Sequence, residues 1–587
     1  MNILIPDSWL REYLTTNATP QDIQRCLSLC GPSVERMNKV GDDYIYDIEV
    51  TTNRVDCMSI YGIAREAVAI LPEFGFQAIL KSPKQLKLPK GEIPNLKIIN
   101  DPKLNQRVLA LKVENFPIEP SPKWLSEKLE KVGLRPLNNL VDITNLVMWE
   151  TGHPCHVFDF AKVTPQMTFR EAKKSEQVIT LDKQTHIMLG GEVVIANVKN
   201  HIVDLPSVMG TANSVVAENT QEALLFVDDV IAHKVRFASM SHAIRTQAAT
   251  LLEKDVDPES SFLAISRMVE IVKSLYPKAK FSPLLDIYPQ PPKSQPIPIQ
   301  YAKISHLIGT DISKDRINNI LKRLSFKISG NFVTPPSYRA KDINILEDLV
   351  EEVARIYGYH NIPSTLMTGE LPKTSNTKNF DFEQKLKTAL KYLGFTEVYT
   401  YSLSDQTAPL KLSNPLSSDW VYMRSNLLYS QSQIINQNRG FADDLNFFEI
   451  ANVYLPQEEL RLIISSNTKN FSQFKGKIEA LLLDLNISII PDIKIVGDIL
   501  YWEIPISELQ KHHKSNKTYI PISKFMPIIE DFNITLNSSY QDLQSQIRKI
   551  SPLINQIDLI DKYESKLTLR ITFHDPARQL TKDYISD

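Results

Sequence analysis

The sequence predicts a multidomain α+β protein, and three observations carry that prediction. At 587 residues the chain is too long for one core, since a prior of roughly 150 residues per domain gives about four. Runs of strand period alternate with runs of helical period along its length. Two stretches, residues 81–94 and 289–298, carry no periodicity and read as linkers; the second, PQPPKSQPIP, has five prolines in ten residues, which neither a helix nor a central strand can hold.

Composition narrows the class. Charged residues are 23% and hydrophobic residues 43%, ordinary for globular protein, and the net charge of −2 gives no global pull toward nucleic acid or membrane. Any RNA contact must then be local. Cys26, Cys30, Cys57 and Cys155 are too scattered for a disulfide framework or a four-thiolate zinc site, which points to a reducing compartment. The opening MNILIPDSWLREYL places charges where a signal peptide needs an apolar core, and no run is long enough to span a bilayer. A cytoplasmic protein without a membrane partner is expected.

Residues 1–82 read as an α/β unit. Thr19-Pro20-Gln21-Asp22 caps a helix through Leu29, residues 44–51 alternate like a strand, and residues 52–57 open a second helix over 59–71. Cys26 and Cys30, one turn apart, read as small buried hydrophobes. Residues 96–287 mix strands such as 108–113 with helices such as 122–132. Residues 299–366 form a small helical, winged unit: helices at 301–308 and 314–324, a strand or hairpin at 326–334, then an acidic helix. Residues 373–510 read helix, strand, turn, helix, strand, with 380–393 amphipathic and 397–403 alternating. After a basic run at 511–517, residues 519–587 contain a strand that alternates Leu567, Leu569, Ile571 and Phe573 with Thr568, Arg570, Thr572 and His574. Its polar face could meet RNA.

The acidic helix, within PPSYRAKDINILEDLVEEVARIYGYHNIP at 335–363, is the most informative stretch. Asn344 and Glu347 predict an N-cap with its capping-box partner, and Gly358 with Pro363 the stop. Leu349, Val353, Ile356 and Tyr357 make the buried stripe, with Asp348, Glu351 and Glu352 about 120° around from it. Asp342 precedes the cap, where a loop can return its carboxylate to that face. Two readings stand: a solvated acidic face with Arg355 paired across one turn, or four hard oxygen donors gathered for a cation such as Mg²⁺.

EDLVEEVARIYGYHNIP at 347–363 is a long, specific match to the β chain of bacterial phenylalanyl-tRNA synthetase, and DIEVTTNRVDCMSIYGIAREA at 47–67 resembles the same chain. The direct join at Gly41-Asp42-Asp43 implies a short form without the family's inserted oligonucleotide-binding domain. The resemblance implies that Asp342, Asp348, Glu351 and Glu352 ligate Mg²⁺ shared with the catalytic α chain. Residues 138–160 and 195–258 resemble the family's editing (B3/B4-like) α/β domain, which hydrolyses tyrosine wrongly attached to tRNA. Carried over residue by residue, its site comprises Thr144 and Asn145 of DITN, His156 of HPCHVFD, Gly210 after Val208-Met209, and Thr246 and Ala248 of RTQA. Three departures imply a degraded site: Thr211 replaces a second glycine, Phe226 replaces the glutamate of an LLE triplet, and Leu251 stands where an arginine is expected. Losing that glutamate removes the acceptor for the tyrosine hydroxyl.

Residues 299–366 are B5-like. Residues 373–510 resemble the class II synthetase-like antiparallel-sheet domain, in which Arg424 and Arg439 are the only arginines between 375 and 448 and no Gly-rich phosphate loop occurs. Residues 519–587 resemble a partial ferredoxin-like anticodon-binding domain lacking its last helix and strand, with Arg570 and Arg578 as tRNA-binding residues. The family implies a non-catalytic β subunit of phenylalanine–tRNA ligase. It would serve an α chain that binds ATP and Mg²⁺, in an α2β2 heterotetramer acting on tRNA(Phe). The rivals are a stand-alone hydrolase of mischarged tRNA and a helix-turn-helix nucleic-acid binder. The acidic face of 348–352 would repel a phosphate backbone and disfavours the second.

Overall fold

The structure is a computed structural model that describes all residues except 292, 367, 371–376, 515–518, 520, 536–538 and 587. The basic run therefore lies partly outside the described residues, at 515–517. Two compact units result, Met1–Met367 and Thr368–Asp587.

The first unit opens with an antiparallel sheet in which Asp43–Glu49 lies between Asn2–Pro6 and Ser33–Val40. The helix Pro20–Cys30 starts as its sequence requires: the Thr19 hydroxyl accepts from the Asp22 N–H, and the Asp22 carboxylate accepts from the Thr19 N–H. Cys26 and Cys30 are buried on it. The second helix runs Ile60–Ile70 under a Ser59 cap.

Two five-stranded sheets follow. One orders Met209–Gly210, Ile202–Leu205, Val193–Asn197, Gln166–Glu171 and Lys97–Ile99. The other is built on Asn105–Glu114 and Glu222–Val230, antiparallel, with His156–Asp159 beside the latter. These central strands are buried on both faces, which is why VLALKV and ALLFV read as continuous apolar runs. The helices Asn139–Thr151 and Ser260–Leu275 pack on each other. Residues 81–94 are no free tether: the Leu86 N–H donates to Ser266 Oγ (2.7 Å), the Gly91 N–H to the Leu284 carbonyl (3.0 Å) and the Leu284 N–H to the Pro89 carbonyl (2.7 Å), and Ile93 is buried. The helices Tyr301–Ile308 and Lys314–Arg323 and the hairpin Lys327–Ser329/Phe332–Thr334 then lead to the acidic helix Leu346–Tyr357. Its N-cap is Ile345, one residue beyond the expected Asn344. Asp348, rather than Glu347, reaches back to the Ile345 N–H (2.9 Å), while Glu347 pairs with Lys303.

The second unit has a sheet ordered Thr396–Glu397, Asn446–Leu455, Gln457–Ser466, Ile499–Pro505 and Lys494–Val496, with helices Lys378–Tyr392 and Phe471–Asp484. The single strand expected over 397–403 does not form. The Thr400 N–H donates to the Glu449 carboxylate (3.0 Å) instead of to a neighbouring strand, so the ladder breaks there. At the end, Lys566–Phe573 sits between Ile528–Thr535 and Ile554–Tyr563, covered by helix Tyr540–Ile550. Leu567, Leu569, Ile571 and Phe573 are its buried face, as the alternation requires. A short helix, Lys582–Ser586, follows where no second helix was expected.

Candidate functional site

The helix Leu346–Tyr357 buries Leu349, Val353 and Ile356, yet it does not gather the four carboxylates. Glu352 is 2% exposed. Each of its oxygens accepts two N–H bonds, one from Arg339 and one from Arg355, at 2.6–2.9 Å. Asp342 accepts from Arg339 Nε at 3.0 and 3.1 Å, and Asp348 Oδ2 accepts the N–H groups of Asn344 and Ile345. Glu351 is exposed. The expected common face fails because, at about 100° per residue, Glu352 lies only about 60° from Leu349 while Glu351 lies on the far side. A magnesium ion needs unspent carboxylate oxygens. Glu352 has none, and no group of three or more His, Cys, Asp or Glu able to hold a metal occurs among the described residues. The four residues do not fit the ion within this chain.

Guanidinium groups fill that role. Arg355 also reaches Glu66 and the Cys30 carbonyl, Glu66 accepts from Arg54 (2.8 Å), and Arg54 pairs with Asp56. Burial alone would raise the Glu352 and Glu66 carboxyls; Arg355, with Arg339 on the one and Arg54 on the other, overcomes it and holds both well below the usual range. Sequence reasoning missed Arg54, Glu66 and Arg339. The available signal was Glu66, a lone acid within the apolar helix IYGIAREAVAI.

The residues expected of an editing site fall into two groups. His156 stands directly opposite Phe226 across the strand pair His156–Asp159/Glu222–Val230. Gly210 backs onto its ring: a Cβ there would come within 2.8 Å of His156 Cε1. Thr246 caps the helix Gln247–Leu252 and donates to the Val208 carbonyl (2.6 Å), tying that cap to the Gly210 loop. Ala248, half-buried, is the second residue of that helix. By contrast, Thr144 turns its hydroxyl back onto Val141 of its own helix, and the half-buried Asn145 follows it there. Phe226 is fully buried between Phe158 and Phe169, with ring centroids at 5.3 and 6.4 Å. Thr211 is buried and donates to the Val203 carbonyl (2.5 Å). The His156 Nε2 atom is closed to solvent and lacks a hydrogen-bond partner, and burial lowers the imidazole to about 4. It is therefore a neutral ring able to take one hydrogen bond. Asp204 and Asp228, also buried here, were not anticipated; burial raises both, Asp228 to about 6. Their signal was the pair Asp228-Asp229 closing the apolar run EALLFV.

Arg570 and Arg578 are exposed but committed within the chain. Arg570 forks onto Asp531 at 2.9 Å twice, and Arg578 pairs with Asp575 and the Tyr584 hydroxyl.

Two measurements follow from this geometry. Glu352→Gln leaves Arg339 and Arg355 buried against a neutral amide, so stability should fall by about 3–5 kcal/mol. EDTA should not move the melting of wild type; an EDTA-sensitive melt would restore the metal. For His156 the sign comes from proton uptake: between pH 6.5 and 4 the unfolded chain binds a proton that the folded ring refuses, so stability drops as pH falls through that window, by at most about 3 kcal/mol. Urea titrations across it should show His156→Leu losing less stability than wild type on acidification; equal slopes would contradict a buried neutral ring.

Residues 104–277 match the B3/4 domain model, 297–359 the tRNA synthetase B5 domain model, and 362–496 the phenylalanyl tRNA synthetase beta chain CLM domain model. The phenylalanine–tRNA ligase beta subunit of Clostridium tetani is 28% identical over 92% of this chain and 78% of its own length. That of Thermotoga maritima is 26% identical over 93% and 78%, and that of Syntrophus aciditrophicus 30% over 76% and 60%. An N-terminal fragment of the phenylalanyl-tRNA synthetase beta subunit from Pyrococcus horikoshii overlaps 61% of this chain and 99% of its own at 14% identity, and its TM-score of 0.35 carries no weight for the fold. With three domain models of one synthetase chain in succession and relatives aligned over nine-tenths of its length, the chain belongs to the bacterial phenylalanyl-tRNA synthetase β-chain family.

Proposed function

We propose that the chain is the non-catalytic β subunit of phenylalanine–tRNA ligase, supporting ATP-dependent attachment of phenylalanine to tRNA(Phe) by an α chain in an α2β2 assembly in the cytoplasm. The observation that carries this reading is the fate of the arginines in the class II-like domain. A phosphate clamp needs guanidinium groups with free N–H bonds. Arg424 is buried and spends its donors on the Asn452 carbonyl, Thr400 and Glu449, Arg439 is forked onto Asp498 at 2.8 Å, and Arg461 pairs with Glu459 and Glu503. ATP and its Mg²⁺ then belong to the α chain. Tyr399, Tyr401 and Phe441, each at least 80% exposed in the second unit, supply apolar surface of the kind a stable partner covers. No helix among the described residues is long and apolar enough to cross a membrane.

Editing in this reading is weak. Where recognition of a tyrosine hydroxyl needs a polar acceptor, Phe226 supplies a ring packed on rings. The strand bearing Arg570, and Arg578 beyond it, would serve tRNA only by exchanging their own carboxylate partners for phosphate, which makes their contribution salt-sensitive.

The chain prepared without α chain should show no phenylalanine-dependent exchange of pyrophosphate into ATP, and adding the α chain should restore it. Exchange by the isolated chain would refute the assignment. The assembled enzyme should deacylate Tyr-tRNA(Phe) slowly, with His156→Ala changing the rate little; rapid deacylation lost in that variant would mean the aromatic site is competent.

A further inference from the structure

A cavity of about 360 Å³ opens in the first unit where helix Ile60–Ile70, the start of helix Ser260–Leu275 and the turn Ser337–Arg339 meet. Its cation is Arg65, whose guanidinium lies 3.7 Å over the Tyr338 ring and 5.4 Å from the Tyr61 ring. One of its N–H groups donates to the Asp56 carbonyl (3.0 Å). The Nε atom is closed to water and has no hydrogen-bond partner, and the Asp56 carboxylate beside it is spent on Arg54. A guanidinium N–H left unpaired in a closed place calls for an acceptor.

The same lining is acidic elsewhere. Asp257 accepts from Ser337 Oγ at 2.7 Å, and Ser337 immediately precedes the Tyr338 on which Arg65 stacks. Cation and carboxylate are thus linked through two consecutive residues, a separation a small molecule can span. Glu259 adds a second carboxylate, whose nearest cation, Arg107, is 3.9 Å away. Val256 and Leu263 give the cavity an apolar part. A phosphate would satisfy Arg65 but meet the repulsion of Asp257 and Glu259, and a simple amine would leave the Arg65 N–H unpaired. The chemistry that satisfies both ends is a carboxylate and an ammonium on a short apolar body.

We propose that this cavity binds a zwitterion of the α-amino acid class, its carboxylate on Arg65 and its ammonium on Asp257 and Glu259. The site is distinct from the residues around His156 and Gly210 and does not depend on the class II-like domain.

Equilibrium dialysis of the purified full chain with labelled L-leucine and L-phenylalanine tests this, with acetate, propylamine and inorganic phosphate as competitors. At least one amino acid should bind, one molecule per chain, and neither half-molecule should displace it efficiently. Arg65→Met and Asp257→Asn should each weaken it about tenfold or more, as loss of a charge-assisted bond does. Leu263→Trp, which fills the cavity and removes no charge, should abolish binding while thermal melting shows the chain still folded. His156→Leu should leave it unchanged. Failure of both amino acids to bind at millimolar concentration, binding indifferent to the three cavity variants, or competition by phosphate as strong as by the amino acids would each overturn the proposal.

Discussion

The first unit depends on one run of alternating charge: Asp342, Arg339, Glu352, Arg355, Glu66, Arg54, Asp56. Three guanidinium groups and four carboxylates leave water together, each nearly buried. Desolvation costs several kcal/mol per ion, and such a cost is tolerable only when every member has its partner in good geometry. The links cross sequence: Arg355 on the acidic helix is joined to Glu66 and to the Cys30 carbonyl, both within the first 82 residues. Neither side can therefore adopt its burial alone.

Periodicity made most of the elements legible. The Thr19 cap, the helix Tyr301–Ile308, the final alternating strand and the apolar stripe of the acidic helix all follow from local patterns that packing did not override. What escaped was the partner of each charge. Glu352 and Glu351 are neighbours in sequence and differ in one being buried and the other exposed: the helical angle turns Glu352 toward the core, where Arg355 one turn on and Arg339 from the preceding turn meet it. Thr400 tells the same story for a strand: its backbone donor had a better acceptor in Glu449, 49 residues on. The residues around His156 were legible as motif positions. That Phe226 would close against Phe158 and Phe169, and that Asp204 and Asp228 would sit buried nearby, belongs to the packing of two sheets, which no local window contains.

In the domain that matches the B3/4 model, the aromatic packing changes what His156 can do. A ring edge-on to Phe158 at 4.4 Å, with its Nε2 closed to solvent and its imidazole lowered by burial, is a poor proton carrier near neutrality, because its charged form is the one burial disfavours. It can still orient a bound water or hydroxyl. Gly210 keeps that possibility sterically open, since any side chain there would press on the ring.

The connector at residues 81–94, sewn to Ser266 and Leu284, has a consequence for how the ion run assembles. A loose segment of that length would leave the two halves of the run to find each other by diffusion within a large volume, and closing it would add a loop-entropy cost. With the segment laid onto the intervening domain, Arg54 and Glu66 are presented to Arg355 at a fixed place, and their local concentration is set by a scaffold instead of by chain statistics. Desolvated ion pairs are weak drivers of encounter but strict judges of geometry, so a scaffold that holds Arg54 and Glu66 in place lowers the cost of closing the run onto Arg355.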